Sequence, residues 1–127
     1  MKILLLEDNP NRIKYFKNGL KNHHLTVCTH AKSAKKALKK AQFDIIFLDH
    51  DLRGYPEDPE SDNCGSEIAH YIIAREIGCP HIILHTENPI GREAMEDILL
   101  DRCETIPYSQ VKKIGLRELL KGIIDEH

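Results

Sequence analysis

The 127 residues make one ordinary domain, and 41% apolar with 30% charged residues excludes a disordered or membrane-embedded chain. A formal charge of −2 gives no global basic field that would advertise nucleic-acid binding. Four scattered cysteines (Cys28, Cys64, Cys79, Cys103) contain no C-x-x-C pair, which argues against a zinc ribbon or thioredoxin motif and for reduced cytosolic thiols.

In chain order, "MKILLLED" is too short for a signal sequence, and no later run approaches a membrane span, so a cytoplasmic protein without membrane association is expected. Ile3 to Leu6 form an oily run without alternation, as expected of a strand covered on both faces. Asn9 and Pro10 then open a helix with Ile13, Phe16 and Leu20 on one face. His23 and His24 are expected at its end, where the helix dipole favours a cation. "LTVCT" (25–29) is the second strand. Ala34, Ala37, Leu38 and Ala41 mark an amphipathic second helix whose five lysines (Lys32, Lys35, Lys36, Lys39, Lys40) form a solvated face. They lack the interleaved aromatics of a nucleic-acid patch.

"DIIFLD" (44–49) is the third strand. The loop "RGYPEDPESDNCG" (53–65) is long for a strand-to-helix connection, a hint of function. A helix follows with Ile68, Ile72, Ile73 and Ile77, and His70 within it. "HIIL" (81–84) is the fourth strand, and Asn88-Pro89 starts a helix carrying Ala94, Met95, Ile98 and Leu99. "ETIPY" (104–108) is a weak fifth strand, and Leu116, Leu119, Leu120, Ile123 and Ile124 define the last helix. Strict alternation of buried-type strands and helices predicts a flavodoxin-like, doubly wound parallel sheet of five strands, order 2-1-3-4-5, spanning residues 1–127. In that winding ligands gather beyond the carboxyl ends of strands 1 and 3.

Those ends are where the chemistry lies. Strand 1 closes on Glu7-Asp8, strand 3 on Asp49-His50-Asp51 and strand 4 on His85-Thr86-Glu87-Asn88. Four carboxylates in one crevice repel unless a cation neutralises them, and hard oxygens suit Mg²⁺. Single acids at strand ends are often only turn residues; their convergence at the switch point favours a metal site held by Glu7, Asp8, Asp49 and Asp51. His50 and His85, expected on neighbouring strand ends, could supply a general base and a general acid for attack on a phosphodiester. Taken singly, each histidine would more often be structural. The helix start at Asn88, with Thr86 before it and Arg92 in its first turn, offers amides and a guanidinium to phosphate. Arg53 is a second cationic candidate.

The runs "LLLEDNP", "DIIFLDHDL" and "CPHIILHTEN" resemble the receiver domains of response regulators across essentially the whole chain. The resemblance implies that Glu7 and Asp8 hold Mg²⁺, that Asp49 is the phosphoacceptor, and that the Asp51 carbonyl completes the metal site. Receivers place Thr or Ser where His85 stands, and Lys-Pro where this chain reads "TIPYSQVKK", with Lys112 and Lys113 arriving late. These departures, with "LDHDL" (48–52), "CGSEIA" (64–69) and "HTENPIGRE" (85–93), resemble a narrower group, the cyclic-phosphate processing receivers. That resemblance implies binding and hydrolysis of a cyclic-phosphate nucleotide or RNA end at a metal and two-histidine site, with catalytic roles for Asp49, His50 and His85. Two rivals stay open. One is a stand-alone receiver that takes a phosphoryl group on Asp49 from a histidine kinase and signals through a partner protein, with no DNA-binding output domain. The other is a pseudo-receiver acting purely as an interaction module.

Overall fold

Each βα unit forms for reasons written in its residues, and in the computed structural model, which describes residues 1–52 and 64–125, five of them assemble into one sheet. The strands are β1 (Lys2–Leu6), β2 (His24–Cys28), β3 (Ile45–Leu48), β4 (His81–Leu84) and β5 (Cys103–Thr105). They pair in parallel in the expected order β2-β1-β3-β4-β5. The helices are α1 (Pro10–Gly19), α2 (Ala31–Lys40), α3 (Gly65–Ala74), α4 (Pro89–Leu99), α5 (Tyr108–Ile114) and α6 (Leu116–Asp125), with a 3-10 turn over Leu100–Arg102 after α4.

The central strands are oily without alternation because both faces are covered. Leu4, Leu6, Ile46, Leu48, Ile82 and Leu84 pack against α2, α3 and α4 through residues such as Leu38, Ile68, Ile72 and Met95. Ile3, Leu5, Ile45, Phe47 and Ile83, one step out of phase, pack against α1 and the C-terminal helices through Phe16, Val111, Leu119 and Ile123. This two-sided burial fixes the register, since a one-residue slip would exchange the two faces. Among the described residues no helix is long and apolar enough to cross a membrane.

Two local expectations are corrected. His23 and His24 do not end α1, which stops at Gly19; His24 opens β2, and the His23 Nδ1 lies 3.3 Å from the N-terminal amine. The fifth strand is only Cys103–Thr105, because Pro107 cannot donate to a ladder and Tyr108 instead starts α5. The last helix is preceded by that separate short one, broken at Gly115, whose φ of +86° no β-carbon-bearing residue adopts cheaply. Arg53 and most of the 53–65 loop lie outside the described residues.

Candidate active site at the carboxyl rim

The parallel register carries one residue past the strands. Glu7 N–H donates to the Cys28 carbonyl (3.0 Å), Asp49 N–H to Leu6 (3.1 Å) and His85 N–H to Leu48 (3.0 Å). Glu7, Asp49 and His85 therefore stand abreast, and the pleat that sends Leu5, Phe47 and Ile83 to the α1 side sends these three there too. One ligand atom from each lies within 4.8 Å of the others, and all three residues are buried.

Glu7 is held on every side. Its Oε2 accepts from the amides of Asp8 (3.0 Å) and Asn9 (3.1 Å). The His85 Nε2–H donates to its Oε1 at 3.1 Å, and the Arg12 Nη1 lies 3.6 Å from the same oxygen. Burial alone would raise this carboxyl, but the His85 hydrogen bond and charge, the Asn9 amide and Arg12 together hold it below the usual value. Asp49 goes the other way. Burial first, and the Glu7 charge second, push it up to about 6, with His85, the His50 amide and Arg12 offsetting only part.

An open cleft of about 280 Å³ lies above, walled by Asp8, Asn9, Arg12, Thr86, Glu87 and Asn88, with Glu7, Asp49 and Asp51 reaching it from below. Among the described residues that line it, five are acids and Arg12 is the one cation. The Arg12 guanidinium is steadied over the Tyr108 ring, 4.6 Å from its centroid. On the far wall Asn88 caps α4 by accepting from Ile90 N–H (3.1 Å), and its Nδ2 donates to Asp51 Oδ1 at 3.3 Å. The Thr86 Oγ1 accepts from Asn88 N–H at 3.1 Å, so Thr86 supports the cap.

The rim thus unites Glu7, Asp8, Asp49, Asp51, Thr86 and Asn88. It does not unite the two histidines, and a shared acid–base pair is corrected on that ground. His85 is fully buried beneath Glu7, its ring edge-on to Phe16 at 5.3 Å, on the α1 side of the sheet. His50 turns to the α4 side: a β-carbon on Gly91 would fall 2.3 Å from the His50 Cγ, and the His50 Nδ1 pairs with Asp51 Oδ1 at 3.2 Å. Neither ring lines the cleft. Arg92 is also redirected, to Glu96 one turn on (3.8 Å), and does not line the cleft. Arg12 takes that place. It sits in the first turn of the helix that leaves the rim after Asn9-Pro10, as Arg92 does after Asn88-Pro89, and that parallel was the available signal. Glu87, placed at the end of strand 4 without a role, gains one: its Oε1 accepts from Ser109 N–H at 2.6 Å, tying the rim to α5.

Two glycines explain the motif spacing. A β-carbon on Gly65 would come within 2.2 Å of the Asp49 carbonyl oxygen, so only glycine lets α3 abut the strand that carries Asp49. Gly91 makes the matching room for His50. At the end of β5, Ile106 and Pro107 bring no ammonium to the cleft, and Lys112 sits over Tyr108 at 5.8 Å from the ring centroid.

Five parallel strands in this order, with acids at the switch point, define the receiver class. Solved structures agree with the fold. A CheY-like response-regulator receiver domain from Methanospirillum hungatei superposes with a TM-score of 0.65 at 15% identity, over 98% of this chain and 91% of that one. The N-terminal domain of an uncharacterized protein from Wolinella succinogenes gives 0.72 at 16%, over 98% and 91%. The response regulator TrrA from Thermotoga maritima, solved with Mg²⁺ and BeF, gives 0.65 at 22%, over 90% and 98%. Within that class the chain belongs to the cyclic-phosphate processing receiver domain family, whose model matches residues 2–101. No curated protein sequence matches the chain.

Proposed function

We propose that the rim cleft binds a divalent cation, Mg²⁺ first among candidates, and with it the cyclic phosphate of a nucleotide or RNA end, whose ring it opens by hydrolysis. The observation that carries this is the composition of the cleft: five acids and one arginine, which would repel a phosphate unless a cation stood between. The donor set fits a hard ion, because the acids Asp8, Asp49 and Asp51 all line the cleft. Such an ion supplies Lewis-acid polarisation of a phosphoryl oxygen and a more acidic water.

The protein's own groups do the rest. Glu7, whose two oxygens already accept from His85 and two amides, is a fixed negative wall beside Asp49 and can add a ligand oxygen to the ion. His85 acts through Glu7 as a positioning residue. Arg12, held over Tyr108, balances charge on the bound phosphate, and Asn88 locks Asp51 to the start of α4. In the hydrolysis a water oxygen bonds to phosphorus, one ring P–O bond breaks, and the departing oxygen leaves as a hydroxyl with a proton drawn from water.

The test is a panel of 2′,3′- and 3′,5′-cyclic nucleotides and cyclic-phosphate-ended RNA, followed by ³¹P NMR with and without Mg²⁺. Metal-dependent ring opening is expected, lost in Asp49→Asn and reduced about a hundredfold in Arg12→Ala, in the range for one charge-stabilising group. Absence of binding and turnover with every member, or a stable phosphoadduct on Asp49 from acetyl phosphate, overturns the proposal; the second result would support the signalling receiver instead.

A further inference from the structure

The second helix carries a charge pattern that helix physics does not account for. Five of its ten residues are lysines and none is an acid. Lys39 and Lys40 stand in the last turn, where the helix dipole favours cations, but Lys32 stands in the first turn, where it opposes one, and Lys36 lies mid-helix. Lys35 is accounted for: it pairs with Glu67 and lies 5.7 Å from the Tyr71 ring centroid, on the α3 side. Lys32, Lys36 and Lys40 are exposed and repeat at i, i+4 and i+8, one stripe with a step of about 6 Å along the axis.

That stripe borders a groove of about 330 Å³ between α2 and the edge strand β2. Lys36 and Lys40 stand at its mouth, Ala37, Ala41 and Phe43 give it an apolar floor, and Thr26 and Ser33 add hydroxyls. The groove starts near the rim. β2 ends at Cys28, whose carbonyl is bonded to the amide of Glu7, and α2 begins three residues later.

We infer that this groove is the track for single-stranded RNA whose cyclic-phosphate end occupies the rim cleft, with successive phosphates on Lys32, Lys36 and Lys40 and a base over the Ala37–Phe43 floor. The inference rests on the cyclic-phosphate proposal and narrows its substrate from mononucleotide to RNA end, since the lysine stripe offers contacts to phosphates beyond the first nucleotide. Charge complementarity selects the occupant: an anionic polymer finds five acids in the cleft but an unbroken row of lysines beside it. Lysines along the groove can follow a phosphate backbone, and Phe43, beyond the end of α2, puts in its floor the aromatic that the lysine run itself lacks.

The experiment compares Mg²⁺-supported binding of a 2′,3′-cyclic mononucleotide with that of an octaribonucleotide ending in the same group, by calorimetry and fluorescence anisotropy. The variants are Lys32→Ala/Lys36→Ala/Lys40→Ala and a charge-matched control on and just beyond α1, Lys14→Ala/Lys17→Ala/Lys21→Ala. All six lysines are exposed, so folding is retained. The octamer is expected to bind at least tenfold more tightly than the mononucleotide. The α2 triple should remove that gain and flatten the log–log salt slope by about 2, at about 0.7 per phosphate contact on a single strand. It should leave mononucleotide binding unchanged, and the α1 triple should leave both unchanged. Mononucleotide binding without a length advantage, or equal losses from both triples, overturns the RNA track while the cleft proposal stands. Failure of both ligands to bind overturns both.

Discussion

Asp49 and Glu7 are neighbours of the same chemical type whose surroundings drive them apart. Asp49, raised to about 6 by burial and by the Glu7 charge, keeps its proton in the fold over a pH range where an open chain has lost it. Its contribution therefore falls as pH rises from about 4 through 6 and is flat above. At about 1.4 kcal/mol per unit, the cost of ionising Asp49 above pH 7 is roughly 3 kcal/mol in the metal-free protein. Asp49→Asn should accordingly stabilise the metal-free protein by up to about 3 kcal/mol at pH 8 and by almost nothing at pH 4. Urea unfolding at the two pH values checks this, and equal stability of the two proteins at pH 8 contradicts it. Glu7, held low, works in the opposite sense: its stabilisation is present above its ordinary value and fades as pH falls through the depressed one. Glu7 is common to both proteins and feels the Asp49 charge, so the comparison reads Asp49 together with its repulsion of Glu7. His85 supplies the largest favourable contribution to Glu7. His85→Ala leaves a buried carboxylate without its main partner and should cost about 3–5 kcal/mol. His85→Gln, which keeps a donor, should cost clearly less on the same denaturation curves.

At the scale of elements, the rim is assembled by close approaches that glycine permits. Gly91 in the first turn of α4 leaves room for the His50 ring, and the same ring pairs with Asp51, which Asn88 binds from the α4 cap. His50 is thus a strut between the β3 loop and α4. Gly91→Ala should destabilise by about 1–3 kcal/mol through overpacking. In Gly91→Ala/His50→Ala much of that cost should vanish, a coupling that a double-mutant cycle reads directly. Simple additivity would show that the ring and the glycine do not meet. The elements themselves were legible in the sequence, because fully buried strands and amphipathic helices leave unmistakable patterns. Residues Ile3–Leu6, "DIIF" and "HIIL" could hardly be anything else. The separate α5 was not legible: "TIPY" reads as a strand by composition, and only the tertiary docking of Tyr108, whose amide donates to the His85 carbonyl at 2.9 Å, makes it the start of a helix.

For the whole molecule, strand order did most of the predictive work. Once β1 lies beside β3, and β3 beside β4, Glu7, Asp49 and His85 must stand abreast, and that much of the site follows from the sequence. What does not follow is the side of the sheet on which each rim residue settles. His50 and His85 are both strand-end imidazoles, yet one packs on Gly91 and the other under Glu7, a choice made by neighbours far away in sequence. Arg12 escaped notice for the same reason: its place depends on Tyr108, 96 positions further along the chain. The gathered acids make a thermodynamic prediction at this scale. An ion bound only by the folded rim stabilises the whole chain, by about 2.7 kcal/mol at a hundredfold excess over its dissociation constant. The melting temperature of the wild type should rise with Mg²⁺, and that of Asp49→Asn should not.

The most direct measurement is residue-resolved: titrate the ¹⁵N-labelled protein with substoichiometric Mn²⁺ and record which amide signals broaden. Selective loss of residues 7–9, 49–51 and 86–88, reversed by excess Mg²⁺ and absent in Asp49→Asn, is the outcome expected of a cation site at the carboxyl rim. Broadening centred anywhere else, or none at concentrations that saturate ordinary Mg²⁺ sites, would contradict it.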